Sequence, residues 1–596
     1  MRLDEVIRGI AITDRRGFFD SEVTGISADS RGVTPGELFV AVRGLALDGH
    51  DFILDALKRG ATTVMGEAWP ETADELAKPN VVLVPDARRA LALAAANFYG
   101  QPSRKLLVAG VTGTNGKTTV TYVVESIIRA ASKKVGVVGS VEARFAGRTV
   151  RLSHTTPDAV TLQRLLAEMV RTGITHVAME VSSHALDQQR VAGVHFKVGG
   201  FTNLTQDHLD YHLHEQAYFE AKARLFTEGL RRSRARGRMA VINIDDPKGV
   251  ELVERWGGKV LTVSVNPNSH ADVMAIEKHF DFEGTQATVQ TSKGAWKIQT
   301  SLIGEHNLSN VLVGMGMALA MGFSKQRILR GLEDLQVVPG RLERVASSTN
   351  KRVLVDYAHT PDALEKTLTA LRPLTAGRLI VVFGCGGDRD QGKRVLMGQA
   401  VARLADAAVV TNDNPRSEDP KKIAGSVAEG LKAGGMTEGT ELGAKKYMVE
   451  LDRRSALRLA LEAVRSDDLV LIAGKGHENY QIVGTSKFRF DDRDEARRLL
   501  EGLPPPPPLP FEDVPMEVEL AQVEESLEIV EGDEILDVAE AAAAESVDLV
   551  EIVDEVDVEP VIVAEEADTD EGVTDPPTPD KKVEAEGGLD PGPNAP

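Results

Sequence analysis

Short hydrophobic runs alternate with segments of helical period throughout residues 1–503, the rhythm of strands buried between helices in parallel α/β sheets. Strands are predicted at Leu106–Val111, Thr175–Val181, Val353–Asp356, Leu379–Phe383, Ala407–Thr411 and Leu469–Ala473. Helices are predicted at Ala87–Tyr99, near His306–Met321 and at Asp492–Glu501. The breakers Gly100-Gln101-Pro102 and Val338-Pro339-Gly340 divide the pattern into units spanning 1–103, 104–337 and 338–503. Residues 504–596 break it altogether. They open with the polyproline spacer Pro504–Pro508 and continue as an acidic, Pro-punctuated segment that is predicted to be disordered. Asp533–Val556 carries enough Ile, Leu and Val among its acids for a transient helix on a partner.

Charge divides at the same place. The formal −21 of the 596-residue chain separates into −27 for residues 504–596 and +6 for residues 1–503. Whole-chain acidity therefore says nothing about the ligands of the body, which gives no reason to expect nucleic acid. An unknown basic partner fits the tail. A single cysteine, Cys385, excludes an internal disulfide and a thiolate cluster. The amino terminus lacks a signal-peptide pattern, and the longest apolar run, Val311–Phe323, is too short to insert in a bilayer. The expected location is cytoplasmic.

The first candidate chemistry is Gly110-Val-Thr-Gly113-Thr114-Asn115-Gly116-Lys117-Thr118-Thr119, between a strand and a helix whose Val120, Val123, Val124 and Ile127 face inward. Glycines let backbone N–H groups wrap phosphate oxygens, and the helix dipole adds to the attraction. Lys117 suits the β- and γ-phosphates, and the Thr118 hydroxyl suits Mg²⁺. Val111 stands where the usual phosphate-loop spacing has its first glycine. The motif predicts nucleotide binding and leaves the reaction open.

Two further segments carry metal-type chemistry. Glu180 ends a strand before Ser182-Ser183-His184, and a hard carboxylate beside a nucleotide suits Mg²⁺. Asp207-His208-Leu209-Asp210-Tyr211-His212 follows, with no cysteine near and no zinc spacing. Each histidine also fits a structural hydrogen-bonding role. Lys222 sits on a predicted helix, where a surface position is the default for lysine.

Taken in order, GTNGKTT (113–119), TTPD (155–158), EVSSHAL (180–186), DHLDYH (207–212), YFEAKARLF (218–226), GEHNLSN (304–310), PGRLE (339–343), DYAHTPDAL (356–364), FGCGGDRDQGKR (383–394), DNPR (413–416) and GKGHE (474–478) resemble the Mur ligases across residues 20–500. The resemblance implies an α/β fold of three domains: an N-terminal UDP-binding domain, a central P-loop ATPase-type parallel sheet and a C-terminal Rossmann-like domain, with the acidic tail appended. It also implies ATP-dependent amide-bond formation in peptidoglycan synthesis through an acyl phosphate. Within the family it points to addition of meso-diaminopimelate to the D-Glu of UDP-N-acetylmuramoyl-L-alanyl-D-glutamate.

The implied roles map residue by residue. Gly113 to Thr119 bind ATP phosphates, and Asn307, Arg341 and Asp356 lie on the adenine and ribose side. Thr118 and Glu180 ligate one Mg²⁺ and His208 a second. Lys222 matches the lysine that family members carry as a carbamate, which turns a repelling ammonium into anionic oxygens. Lys117, Glu180, His208 and Lys222 form the implied catalytic set. Ser30, Thr155, Thr156, Ser182, Gln188 and Arg190 hold the UDP-precursor. In the first domain Leu45-Ala46-Leu47 replaces a segment that is often more polar in the family. Arg389, Asp413, Asn414, Pro415, Arg416, Gly474 and Glu478 hold diaminopimelate, with Arg416 as a planar fork for its second carboxylate and Glu478 as an anion for its ammonium.

A lysine-adding or folate-polyglutamylating relative is the main alternative, and DNPR argues against both. A GTPase or kinase needs a base-recognition motif such as N-K-x-D, which is not found. A catalytically dead scaffold conflicts with intact Lys117, Glu180, His208 and Lys222.

Overall fold

Each long apolar run becomes the middle of a sheet. The computed structural model describes residues 1–44, 47–70 and 79–504, all within one compact unit. Leu45 and Ala46 lie outside the described residues, as do the acidic segment and the helix predicted over Asp533–Val556.

The first sheet has five strands, built from Asp14–Arg16, Ile26–Ser27, Leu38–Val40, Thr63–Gly66 and Asn80–Leu83. Its pairings are parallel except the edge strand Asp14–Arg16, which runs antiparallel to Asn80–Leu83. The helix Ala87–Phe98 covers it with a row of buried alanines, capped by the Asp86 carboxylate on Arg89 N–H. Gly100 and Gln101, both with positive φ, then turn the chain toward the second sheet.

The central sheet has eleven strands. Six parallel ones form its core: β1 (Leu107–Thr112), β2 (Val135–Val138), β3 (His176–Glu180), β4 (Phe196–Phe201), β5 (Met239–Asn243) and β6 (Val260–Ser264), in spatial order β6-β5-β4-β1-β3-β2. Helix α1 (Lys117–Ala130) leaves the end of β1 and buries Val120, Val123, Val124 and Ile127 against the sheet. Most of the apolar run Val311–Phe323 lies in α3 (Glu305–Ala320), which packs on the same face; α2 (Glu215–Arg224) covers the other face. Parallel pairing does not extend to the edges. Val273–Asp281, Gly284–Thr291 and Gly294–Thr300 form an antiparallel meander, and Ala143–Phe145 and Arg148–Val150 a hairpin. The meander's alternation of buried and exposed residues marks a sheet with one wet face, a period-two signal within the chain rather than a continuous apolar run.

The third sheet centres on β7 (Arg352–Asp356), β8 (Leu379–Phe383), β9 (Ala407–Val410), β10 (Lys446–Val449) and β11 (Leu469–Ala473), parallel in the order β7-β11-β8-β9-β10. A separate hairpin, β12 (Tyr480–Val483) and β13 (Ser486–Arg489), follows β11. No helix among the described residues is long and apolar enough to cross a membrane.

Candidate functional site

Loops at the carboxyl ends of β1, β3 and β4 make the first half of the site, where open α/β sheets bind ligands. Gly113 and Gly116 adopt positive φ, and a Cβ on either would strike Thr202 Oγ1 or Asn310 Oδ1, at 1.8 and 2.0 Å. Only glycine lets this loop run so close to its neighbours. Lys117 Nζ donates to the carbonyls of Gly113 and Thr114 at 2.9 and 2.8 Å, folded along the loop that should receive phosphate.

Glu180 is buried at the end of β3. Its Oε1 accepts from Thr118 Oγ1 and from Ser140 N–H, both at 2.9 Å, and its Oε2 lies 3.1 Å from Ser140 Oγ. Arg341 reaches across from beside the third sheet and donates to Thr118 Oγ1 at 3.2 Å, its guanidinium over the Tyr357 ring. The paired hydroxyl and carboxylate are hard oxygen donors of the kind Mg²⁺ takes together with phosphate oxygens and waters. Among the described residues no three His, Cys, Asp or Glu side chains gather as a metal site.

Lys222 overturns the default for a lysine on a helix. It is 1% exposed in the last turn of α2, just before the chain widens into a π-turn at Leu225–Leu230. Its Nζ donates to Gly113 O at 2.7 Å and lies over the Tyr218 ring. Burial, with Lys117 adding to it, pushes its ammonium well below the ordinary lysine range. His208 adopts φ +54 and packs edge-on against His184, with its side chain 45% exposed.

Two cavities flank this region, one against the phosphate loop and the other beside His184 and His208. One, of about 670 Å³, lies between α3 and the third sheet and is lined by Asn115, Gly116, Thr119, Asn307, Arg341 and Asp356. Asp356 accepts from Leu342 and Ala358 N–H at 2.8 and 2.9 Å, so its carboxylate also holds the entry to the third sheet. Burial raises it above the usual carboxylate range. His306, which the sequence reading passed over, lines the same cavity and is pushed down to about 4 by burial.

The other cavity, of about 1040 Å³, is where all three sheets meet. The first contributes Arg43 and Arg88; the second Thr155, Ser182, Gln188, Arg190 and His208; the third Arg389, Asp413, Asn414, Arg416, Gly474 and Glu478. Arg190 donates to Gln188 Oε1 and to Thr156 O, which orders that wall. Thr156 departs from expectation. It is fully buried; its hydroxyl donates to Glu180 O and accepts from Ser182 N–H, so it shapes the wall and offers no hydroxyl to a ligand. Pro415 is likewise buried, outside the cavity lining, and places its neighbours. Ser30 lies apart, on the short 3-10 turn Ser30–Gly32, in a cavity of about 730 Å³ with Asp29, Phe39 and Leu47.

At the end of β9, Arg416 takes φ +52 and its N–H pairs with Ile482 O of β12, while Nη1 donates to Gly387 O at 2.8 Å. Beneath this wall lie buried charges that sequence reading did not single out: Lys475, and Arg453 paired with Asp492 at 2.6 Å. Arg453 also donates to Asn412 O and Ala473 O, tying together the two strand ends that carry the pocket. Lys475 was visible within GKGHE; a lysine between two glycines at a strand end was the available signal.

Family models match this architecture in chain order. Residues 22–99 match the Mur ligase family catalytic domain, 111–318 the Mur ligase middle domain, and 340–476 the Mur ligase glutamate ligase domain. The chain belongs to the Mur ligase family. Among its Mur ligase relatives, the UDP-N-acetylmuramoyl-L-alanyl-D-glutamate–2,6-diaminopimelate ligase of Geobacter metallireducens is 45% identical over 503 residues, covering 83% of this chain and 98% of the relative. The enzyme of the same name from Gloeobacter violaceus is also 45% identical, over 84% and 98%. A solved structure of a ligase of that name aligns with TM-score 0.60 and 31% identity over 84% of this chain and 99% of that one.

Proposed function

We propose that this Mur ligase joins meso-diaminopimelate to the D-Glu carboxylate of UDP-N-acetylmuramoyl-L-alanyl-D-glutamate, with ATP cleaved to ADP and phosphate. The cavity that brings Arg416 and Glu478 into one space with Ser182 and His208 carries this reading. An acceptor bound along the second sheet and an amine bound on the third then meet beside the phosphate loop. Relatives named for the same reaction support it. The domains are assigned as 1–103 for the UDP-sugar, 104–337 for ATP and 338–503 for the amino acid, in the cytoplasm.

The D-Glu carboxylate attacks the γ-phosphorus and ADP leaves, giving an acyl phosphate. The amine then attacks the carbonyl carbon, loses a proton, and phosphate departs from the tetrahedral intermediate. Lys117 and the loop N–H groups neutralise and orient the phosphates, and such transfers are catalysed mainly by positioning and charge. Thr118 and Glu180 would hold one Mg²⁺, with His208 and carbamylated Lys222 a second, and the metal supplies charge neutralisation at the transferring phosphate. Asn307 and Arg341 hold the nucleoside side. Ser30 holds the uridine end; Thr155, Ser182, Gln188 and Arg190 hold the muramoyl peptide.

Substrate labelled with ¹⁸O in the D-Glu carboxylate tests the route. One labelled oxygen should appear in the released phosphate, and only when diaminopimelate and ATP are both present. Unlabelled phosphate would rule out the acyl phosphate.

A further inference from the structure

Lys475 is completely buried two residues beyond β11, with its ammonium among acidic and amide groups of the amino-acid wall and 5.6 Å from the Tyr480 ring centre. Its Nζ lies 3.1 Å from Asn414 Oδ1, 3.3 Å from Glu478 Oε2 and 3.5 Å from Asp413 Oδ1. Asn414 Oδ1 also accepts from Ile482 N–H at 2.9 Å, and its Nδ2 donates to Glu478 Oε2 at 2.9 Å. An ammonium and a backbone N–H are donors only, so they fix the amide with its oxygen toward them and its NH₂ toward Glu478. Reversing the amide would set donor against donor. Lys475 therefore orients Asn414, and Asn414 and Lys475 together hold one oxygen of Glu478.

The charges point the same way. Asp413 and Glu478 are two carboxylates in one buried wall, and the other buried cation nearby, Arg453, is committed to Asp492. Without Lys475 the two carboxylates would lose their nearest cation, and their mutual repulsion would favour protonation of one of them.

We propose that Lys475 is a positioning and specificity-determining residue of the amino-acid subsite. It locks Asn414 and holds Glu478 Oε2 in place, its positive charge set against Asp413 and Glu478, so that the wall turns ordered acidic oxygens to the ligand ammonium while Arg416 meets the carboxylate. This rests on the ligase reading above and adds to it the group that sets the pocket's charge. The groups acting on Glu478 are Lys475, Asp413, Asn414, Tyr357 and Arg453. Burial pushes Glu478 up, Asp413 adds to that, and Lys475 and the Asn414 bond pull it back.

The test is steady-state kinetics of the full-length chain with Lys475→Met and Lys475→Gln. Met removes both charge and donor; Gln removes the charge and keeps a donor. Lys475→Met should raise KM for diaminopimelate about 10–100-fold, the cost of losing a charged hydrogen-bond partner, with KM for ATP and the UDP-precursor within about threefold. In both variants KM for diaminopimelate should climb as the pH falls from about 8 to about 6, because Glu478 then protonates nearer neutrality, and the wild type should climb less. Lys475→Gln carries the pH comparison should the Met variant fail to fold. An unchanged KM for diaminopimelate, an equal rise in all three KM values, or a pH profile identical to wild type overturns the proposal. Absence of wild-type turnover with diaminopimelate would instead overturn the ligase reading, and this inference with it.

Discussion

Lys222 and Lys117 converge on one acceptor: both ammonium groups donate to Gly113 O, at 2.7 and 2.9 Å. Two buried cations on one carbonyl repel each other, and desolvation followed by this repulsion depresses Lys222 strongly. Depression of this kind raises the share of neutral amine, and the neutral amine is the form that adds CO₂. A carbamate on Lys222 would place an anion beside Lys117 and replace this repulsion by attraction.

Lys222→Ala should therefore nearly abolish turnover, with partial rescue by added short carboxylates. Depleting bicarbonate should lower wild-type activity reversibly and leave the variant unaffected. ¹³C NMR with labelled bicarbonate checks the adduct: a carbamate signal present in wild type and missing from Lys222→Ala. Wild-type activity in the variant would refute the role.

Glu180→Gln removes the charge while keeping the shape and the acceptor oxygen for Thr118 and Ser140. Losing an electrostatic group aimed at the transferring phosphate should cost about 10²–10³ in kcat, with a thermal transition close to wild type. A parallel collapse of stability would mean that Glu180 serves mainly to hold β3 to the phosphate loop.

The strand ends were legible because parallel buried strands are continuous apolar runs: Leu379–Phe383 and Leu469–Ala473 fall where the pattern places them. The phosphate loop was legible because Gly113 and Gly116 have no substitute at their φ values. Lys222 was not, because helical period gives a face and not the loop that covers it. Thr156 looked like a ligand contact because a hydroxyl's partners are tertiary, here Glu180 O and Ser182 N–H from the next strand end. Arg453 and Asp492 are 39 residues apart in sequence, and only the fold reveals that they neutralise each other.

That pair yields a stability prediction. Asp492→Asn leaves Arg453 charged and uncompensated in a fully buried site, a change that costs about 3–5 kcal/mol. Differential scanning calorimetry should show the transition of the third sheet lowered by about 6–20 °C. Because Arg453 also ties Asn412 O to Ala473 O, KM for diaminopimelate should rise below that transition. An unchanged melting profile would show that the buried arginine finds another partner.

Deletion after Leu503 tests whether the acidic segment belongs to the reaction. The family models end at residue 476, and relatives are covered to 98% of their length by 83% of this chain. Turnover should persist within about twofold of the full chain, a barrier change of roughly 0.4 kcal/mol. A large loss would place a functional element beyond residue 503.

The most direct measurement is the ratio of kcat/KM for meso-diaminopimelate to that for L-lysine, with ATP and UDP-N-acetylmuramoyl-L-alanyl-D-glutamate saturating. Lysine lacks the second carboxylate and leaves Arg416 facing an empty position, a mismatch that sites built on polar pairing reject by about 10⁴-fold. A ratio of at least about 10³, with the tripeptide product identified by mass, is the predicted result. Comparable turnover of lysine, or no turnover of diaminopimelate, would contradict it.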